Sequence, residues 1–159
     1  NLSTSAMHFQ VSGSEYLRVE KVVRVATLVG ARKHLHVCMD ETQTRNCSAC
    51  IKCAYAQITL ERMGRLEEFS DCFDKETYQH IKHEMLAKIL TGRSPYRIET
   101  REFLYATGFR FGWRAWLQAI RHRRQLKDLI WGLLADRRRA QFVRDRISSS
   151  KILIRSTAR

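Results

Sequence analysis

Four of the five cysteines, Cys38, Cys47, Cys50 and Cys53, are spaced C-x8-C-x2-C-x2-C. Thiolates are soft ligands, and four of them around one ion suit tetrahedral zinc. The two consecutive C-x2-C units bring three sulfurs into one tight turn opening a helix. A loop then returns Cys38 from a separate segment as the fourth ligand. Four thiolates leave no open coordination position, so the expected role is structural and Lewis-acid catalysis is disfavoured. An iron–sulfur cluster competes for the same ligands, because closely spaced C-x2-C units also serve clusters. Free buried thiols are the plainer alternative. A disulfide framework is disfavoured, since positions 47, 50 and 53 are too crowded for two good bridges and no secretory signal is visible.

Neighbouring residues qualify the site. Arg45 and Lys52 stand close enough in sequence to offset the negative charge of a zinc tetrathiolate. The helix start expected near Ser48 would offer amides to sulfur. Cys72 reads as a buried thiol with no role. His34 and His36 flank the ligand segment and read as packed or surface residues, and His80 and His83 as a solvated helix face.

The elements that must hold these residues are mostly helical. One proline (Pro95) and seven glycines in 159 residues argue for long helices and against an all-β fold. Between Tyr16 and Val29, apolar residues recur at helical spacing, with Gly30 as a stop. Leu35-His36-Val37-Cys38 alternates and predicts a short strand into the metal loop. Residues 39–46 are polar loop. A helix is expected from Ser48 to Gly64, and another from Lys75 to Leu90 with the stripe Tyr78, Ile81, Met85, Leu86 and Ile89. Gly92, Ser94 and Pro95 punctuate the chain and divide it into a metal-bearing part, 1–93, and a tail, 94–159. The fold class is therefore mainly α with one short strand and a four-cysteine loop.

The tail differs in charge. Residues 1–93 carry 13 Lys/Arg against 11 Asp/Glu, a net of +2, whereas residues 94–159 carry 16 against 5, a net of +11. Such asymmetry points either to an anionic partner for the tail or simply to a solvated basic helix face. One stripe there is Phe109, Trp113, Trp116, Leu117 and Ile120; another is Leu126, Leu129, Ile130, Leu133 and Leu134. Arg110, Arg114, Arg121, Arg123 and Arg124 could neutralise nucleic-acid phosphates, with Trp113 and Trp116 as stacking surfaces, although tryptophans at this spacing read more readily as core. Alternatively the Leu126–Leu134 stripe between arginines could lie on an anionic membrane surface. No stretch reaches the ~20 apolar residues of a membrane span, and no signal peptide is visible, so a cytoplasmic location is expected.

Several of these segments together resemble a known family. Asn46-Cys47-Ser48-Ala49-Cys50-Ile51-Lys52-Cys53, followed by Leu60, Gly64, Leu66 and Phe69, resembles the N-C-G-x-C-x-K-C block, with its downstream L, G, L and F, of adenine nucleotide alpha-hydrolase-like proteins. These are N-type ATP pyrophosphatases akin to 7-cyano-7-deazaguanine synthase. The stretch Gly13 to Val22 is similar to the family's G-x-E-x-x-R-x-E-K-V helix start, and Leu35–Cys38 to its L-x-V-C strand. The cysteine spacing matches the zinc site of that synthase. Ala54 and Tyr55 follow the last cysteine, and the Arg-Thr that the family carries there is missing. So is the S-G-G-x-D-S loop that would cradle ATP; Ser12-Gly13-Ser14 lacks the second glycine and the aspartate. The resemblance, over residues 1–80, implies the C-terminal part of a doubly wound α/β protein whose nucleotide-binding half, and with it ATP, lies outside this chain. It implies an adenylating parent and an inactive isolated chain, with Arg18, Glu20 and Lys21 either facing substrate or simply charging the surface of an amphipathic helix.

Overall fold

The computed structural model describes residues 15–40, 42–121 and 137–149. Among them stand seven α-helices: α1 (Arg18–Ala26), α2 (Ala31–His34), α3 (Ile51–Arg62), α4 (Lys75–Thr91), α5 (Pro95–Ala106), α6 (Trp113–Arg121) and α7 (Arg137–Ser149), with a 3-10 turn at Leu66–Phe69. The mainly helical expectation holds. The strand does not: no strand occurs among the described residues, and nothing in these helices supports an α/β parent. Leu35 to Cys38 is extended, yet its polar backbone groups meet a side chain instead of a sheet. Asn46 Oδ1 accepts from the Val37 amide at 2.8 Å, and Asn46 Nδ2 donates to the Leu35 carbonyl at 2.7 Å. With a side chain taking those groups, no neighbouring strand is needed.

Helix α3 is the axis of the fold. Every residue from Cys53 to Leu60 is buried, so this helix has no solvated face and little amphipathic signature. It packs against α1, α4 and α5. It ends in a Schellman motif at Gly64, with φ +70: the Arg65 amide reaches the Leu60 carbonyl at 2.9 Å and the Gly64 amide the Glu61 carbonyl at 2.9 Å. A Cβ at Gly64 would meet nothing within 4 Å, so only backbone strain opposes a side chain. Gly64→Ala is expected to cost about 1 kcal/mol in a denaturation titration, the penalty of a left-handed alanine offset by its lower unfolded-state entropy.

Helix α4 starts where expected. Asp74 is its cap, its carboxylate accepting from the Thr77 amide at 3.0 Å and the Glu76 amide at 3.4 Å. Those bonds, with the Thr77 hydroxyl, hold the Asp74 carboxyl below the usual range, so the capping contribution is complete at neutral pH and fades as acid protonates it.

The division at residue 93 does not separate two cores. Pro95 occupies the first turn of α5, a helix absent from the expectation above, because a fixed φ starts a helix as readily as it stops one. Phe103 and Leu104 of α5, and Val143 and Ile147 of α7, belong to the same hydrophobic cluster as Val19, Ile58 and Phe69. The carboxylates of Glu102 and Glu20 draw α7 down, meeting Arg144 at 3.3 Å and Arg146 at 3.2 Å. Part of the tail's positive charge thus serves the fold itself. Helix α7 runs through Ser149.

The expected core role of the tryptophans is corrected as well. Helix α6 packs on α4 through Ala115 and Ala119, the latter clustered with Ala87 and Leu90. Small residues allow the close approach, and they turn Trp113 and Trp116 outward. The Leu126–Leu134 stripe lies outside the described residues.

Candidate metal centre

The cysteine turn is built by α3 and the segment before it. Cys50 is the N-cap residue of α3, with extended backbone, and its sulfur accepts from the Cys53 amide at 3.5 Å. The helix therefore begins at Ile51, three residues later than the expected Ser48, because the cysteine turn takes up the preceding residues. The Cys50 amide donates to Cys47 Sγ at 3.3 Å, and the Asp40 amide to Cys38 Sγ at 3.4 Å. Each C-x2-C unit thus folds its own backbone amide onto its first sulfur.

All four Sγ atoms lie within 4.8 Å of one another. Cys50 and Cys53 sulfurs are 3.4 Å apart, and Cys47 and Cys53 sulfurs 3.9 Å. A tetrahedron with Zn–S bonds of about 2.3 Å has edges of about 3.8 Å, so these separations suit one ion at the centre. None of the five cysteines is in a disulfide. Cys38 and Cys53 are buried, and Cys47 and Cys50 are half-buried.

The thiols divide electrostatically. The backbone amides of Cys47 and Asp40 hold the Cys38 thiol below its ordinary value. Burial works against Cys50 ionisation, but amide donation from Cys53 and Met39 outweighs it, and its thiol is pulled down to about 6. Burial raises Cys47, and burial together with the Cys50 thiolate raises Cys53. Ionisation is therefore favoured at Cys38 and Cys50 and opposed at Cys47 and Cys53, unless a cation compensates the latter pair. The four sulfurs are placed to bind a metal ion, whose charge would offset their ionisation.

A second layer fixes the turn. Asn46 is buried, and besides its bonds to the 35–37 segment it donates to the Cys72 carbonyl at 3.0 Å. Ser48 is fully buried with φ 58; its hydroxyl accepts from the Asp74 amide at 2.8 Å, and its carbonyl accepts from Gln57 Nε2 at 2.9 Å. The turn is thereby tied to α2, α3 and the start of α4. Sequence reasoning singled out the cysteines but gave Asn46, Ser48 and Gln57 no positioning role. A short polar residue beside a cysteine turn is the one signal that could have found Asn46.

Arg45 does not face the sulfurs; its guanidinium donates to the Asp71 carbonyl at 3.1 Å. His36 Nε2 lies 3.2 Å from the Gln43 carbonyl, and His34 is exposed. Cys72 is buried as expected, and its thiol donates to the Arg32 carbonyl at 3.2 Å. It stands outside the group of four converging sulfurs. Cys72→Ala is expected to leave metal stoichiometry unchanged while lowering stability by about 1 kcal/mol, the cost of a small void. Loss of bound metal in that variant, measured by elemental analysis, would contradict the assignment.

The other residues singled out lie elsewhere. Glu20 is buried, caps the α1 start through the Leu17 amide at 2.8 Å, and holds Arg146. Arg18 stacks over the Tyr96 ring at 5.0 Å, and Lys21 is exposed. Arg110, Arg114 and Arg121 are exposed, while Arg123 and Arg124 lie outside the described residues.

Fold and site together define a helical domain organised around four cysteines placed to bind a metal ion. No family model, curated protein or solved structure matches the chain. No helix among the described residues is long and apolar enough to cross a membrane.

Proposed function

We propose that Cys38, Cys47, Cys50 and Cys53 hold a structural zinc ion, and that the chain is the zinc-bearing C-terminal portion of a 7-cyano-7-deazaguanine synthase-like ATP pyrophosphatase. The observation that carries the metal assignment is the convergence of four sulfurs within 4.8 Å from two separate segments. That closeness favours a single ion over a cluster, because a cluster interposes several iron and sulfide atoms and holds its thiolates farther apart. Zinc is the tetrahedral thiophile of choice for such a set, and a filled shell keeps it out of catalysis.

The family reading draws support from what its motif residues do. The family's block carries glycine where this chain has Ser48, and Ser48 sits at φ 58, in the region glycine favours. Gly64 closes α3 at φ +70, and Leu60, Leu66 and Phe69 are all buried. Asn46 fastens the ligand segments together. The shared positions thus have folding roles, as expected of the part of an enzyme that supports its active site.

The test is elemental analysis of the purified chain, with about one zinc per polypeptide expected and no iron–sulfur absorption. The isolated chain is also expected to release no pyrophosphate from ATP. Iron in place of zinc would overturn the metal assignment, and pyrophosphate release by the chain alone would overturn the reading that its nucleotide-binding half lies outside this chain.

A further inference from the structure

The large apolar residues of α6 point outward. Trp113 is 67% exposed, Trp116 40%, Leu117 51% and Ile120 48%, while Ala115 and Ala119 take the packed side of the helix. The spacing i, i+3, i+4, i+7 puts all four on one face. Arg114 and Arg121 stand along one border of that face, and the Arg114 guanidinium lies 5.4 Å from the Trp113 ring centre. Beside them, at the seam of α4 and α6, is a cleft of about 410 Å³ lined by His83, Arg114, Leu117, Gln118, Ile120 and Arg121. Arg114 and Arg121 give its rim positive charge beside Gln118 and His83, and Leu117 and Ile120 form its aliphatic wall. From Phe103 to Lys127 the sequence holds no aspartate or glutamate.

We propose that α6 is a docking surface for an anionic phospholipid bilayer, with the α4–α6 cleft receiving a lipid headgroup phosphate between Arg114 and Arg121. Four features argue for this occupant. Tryptophan is the side chain that settles at the headgroup level, with its ring among the acyl chains and its N–H in the wet layer. Leu117 and Ile120 add aliphatic surface that a lipid accepts and that a nucleic-acid backbone does not reward. The bordering arginines match anionic headgroups, each basic residue near such a surface adding attraction. A second copy of the same face would instead set its own arginines against those of the first. The surface is distinct from the Leu126–Leu134 stripe suggested by sequence, and it stands independently of the metal assignment.

The test is flotation of the zinc-loaded full chain with phosphatidylcholine vesicles, with and without phosphatidylserine. Binding is expected only when phosphatidylserine is present, and it should weaken as salt rises. Trp116→Ser/Leu117→Ser is expected to abolish it. Arg114→Gln/Arg121→Gln should weaken it by on the order of tenfold or more. These side chains are exposed, so all variants should keep their zinc and their helical circular dichroism, which separates lost docking from lost folding. Equal binding to neutral vesicles, or wild-type binding by both variants, would overturn the proposal. So would absence of flotation together with salt-sensitive RNA binding, or with self-association, through the same face.

Discussion

Removing the metal with a chelator is expected to unfold the region from Leu35 to Phe73 and to take most of the helical signal with it. The described residues between 35 and 50 contain no helix, and their order rests on converging sulfurs, amide-to-sulfur bonds and a few polar side chains. Structural zinc in small sites contributes on the order of 10 kcal/mol at neutral pH. Whole domains are stable by only about 5–15 kcal/mol, so little remains once that contribution is withdrawn. The loop is also coupled to the core, because Ser48 bonds to Gln57 in the middle of α3 and to the amide of Asp74 at the start of α4. Circular dichroism during titration with a chelator, followed by re-addition of zinc, measures the effect. A chain that keeps its helices and its cooperative melt after losing the ion would refute it. Acid should act in the same direction. Ligand thiols must be ionised to hold zinc, so stability is present at neutral pH and lost as falling pH protonates them. Because amide donors hold Cys38 down and bring Cys50 to about 6, those two sulfurs resist protonation longest.

The site was legible in the sequence where it depends on ligand type and spacing, and illegible where it depends on which partner a polar group finds. C-x8-C-x2-C-x2-C could hardly avoid assembling, since three of its sulfurs lie on one turn. The alternation Leu35-His36-Val37-Cys38 looked like a strand because its backbone is extended, but alternation says nothing about what accepts the amides. Here Asn46 takes them. The stripe of α6 was correctly periodic, but its tryptophans, which read as core, are exposed. Periodicity identifies a face, not the side of the molecule it meets, and the small residues Ala115 and Ala119 decide that. Pro95 was read as punctuation although it begins α5, since the same ring restricts the end of one helix and preorganises the next. The apparent charge asymmetry likewise concealed two arginines, Arg144 and Arg146, already engaged by buried carboxylates.

Asn46 is where a single non-ligand substitution should do the most damage. Its carboxamide serves the Val37 amide, the Leu35 carbonyl and the Cys72 carbonyl at 2.8, 2.7 and 3.0 Å, using both its acceptor and its donor end. In Asn46→Ala those three backbone groups, one buried and two part-buried, lose their partner, and each unmade bond costs about 1–3 kcal/mol. Partial entry of water limits the sum, so a loss of about 3–5 kcal/mol is expected from denaturant titration of the zinc-loaded protein. The same residue holds the Cys38 segment against the Cys47 turn, so zinc affinity should fall as well, by about 10–100-fold, as when other groups that orient ligands are removed. Asn46→Asp is the sharper variant. It preserves size and the acceptor oxygen, which lies 4.0 Å from the Cys53 sulfur, yet its second oxygen would face two carbonyls where a donor stood. At neutral pH it should therefore be worse than alanine, although it deletes fewer atoms. If the aspartate variant instead matched the wild type in stability and zinc affinity, the carboxamide would not be what joins the two ligand segments.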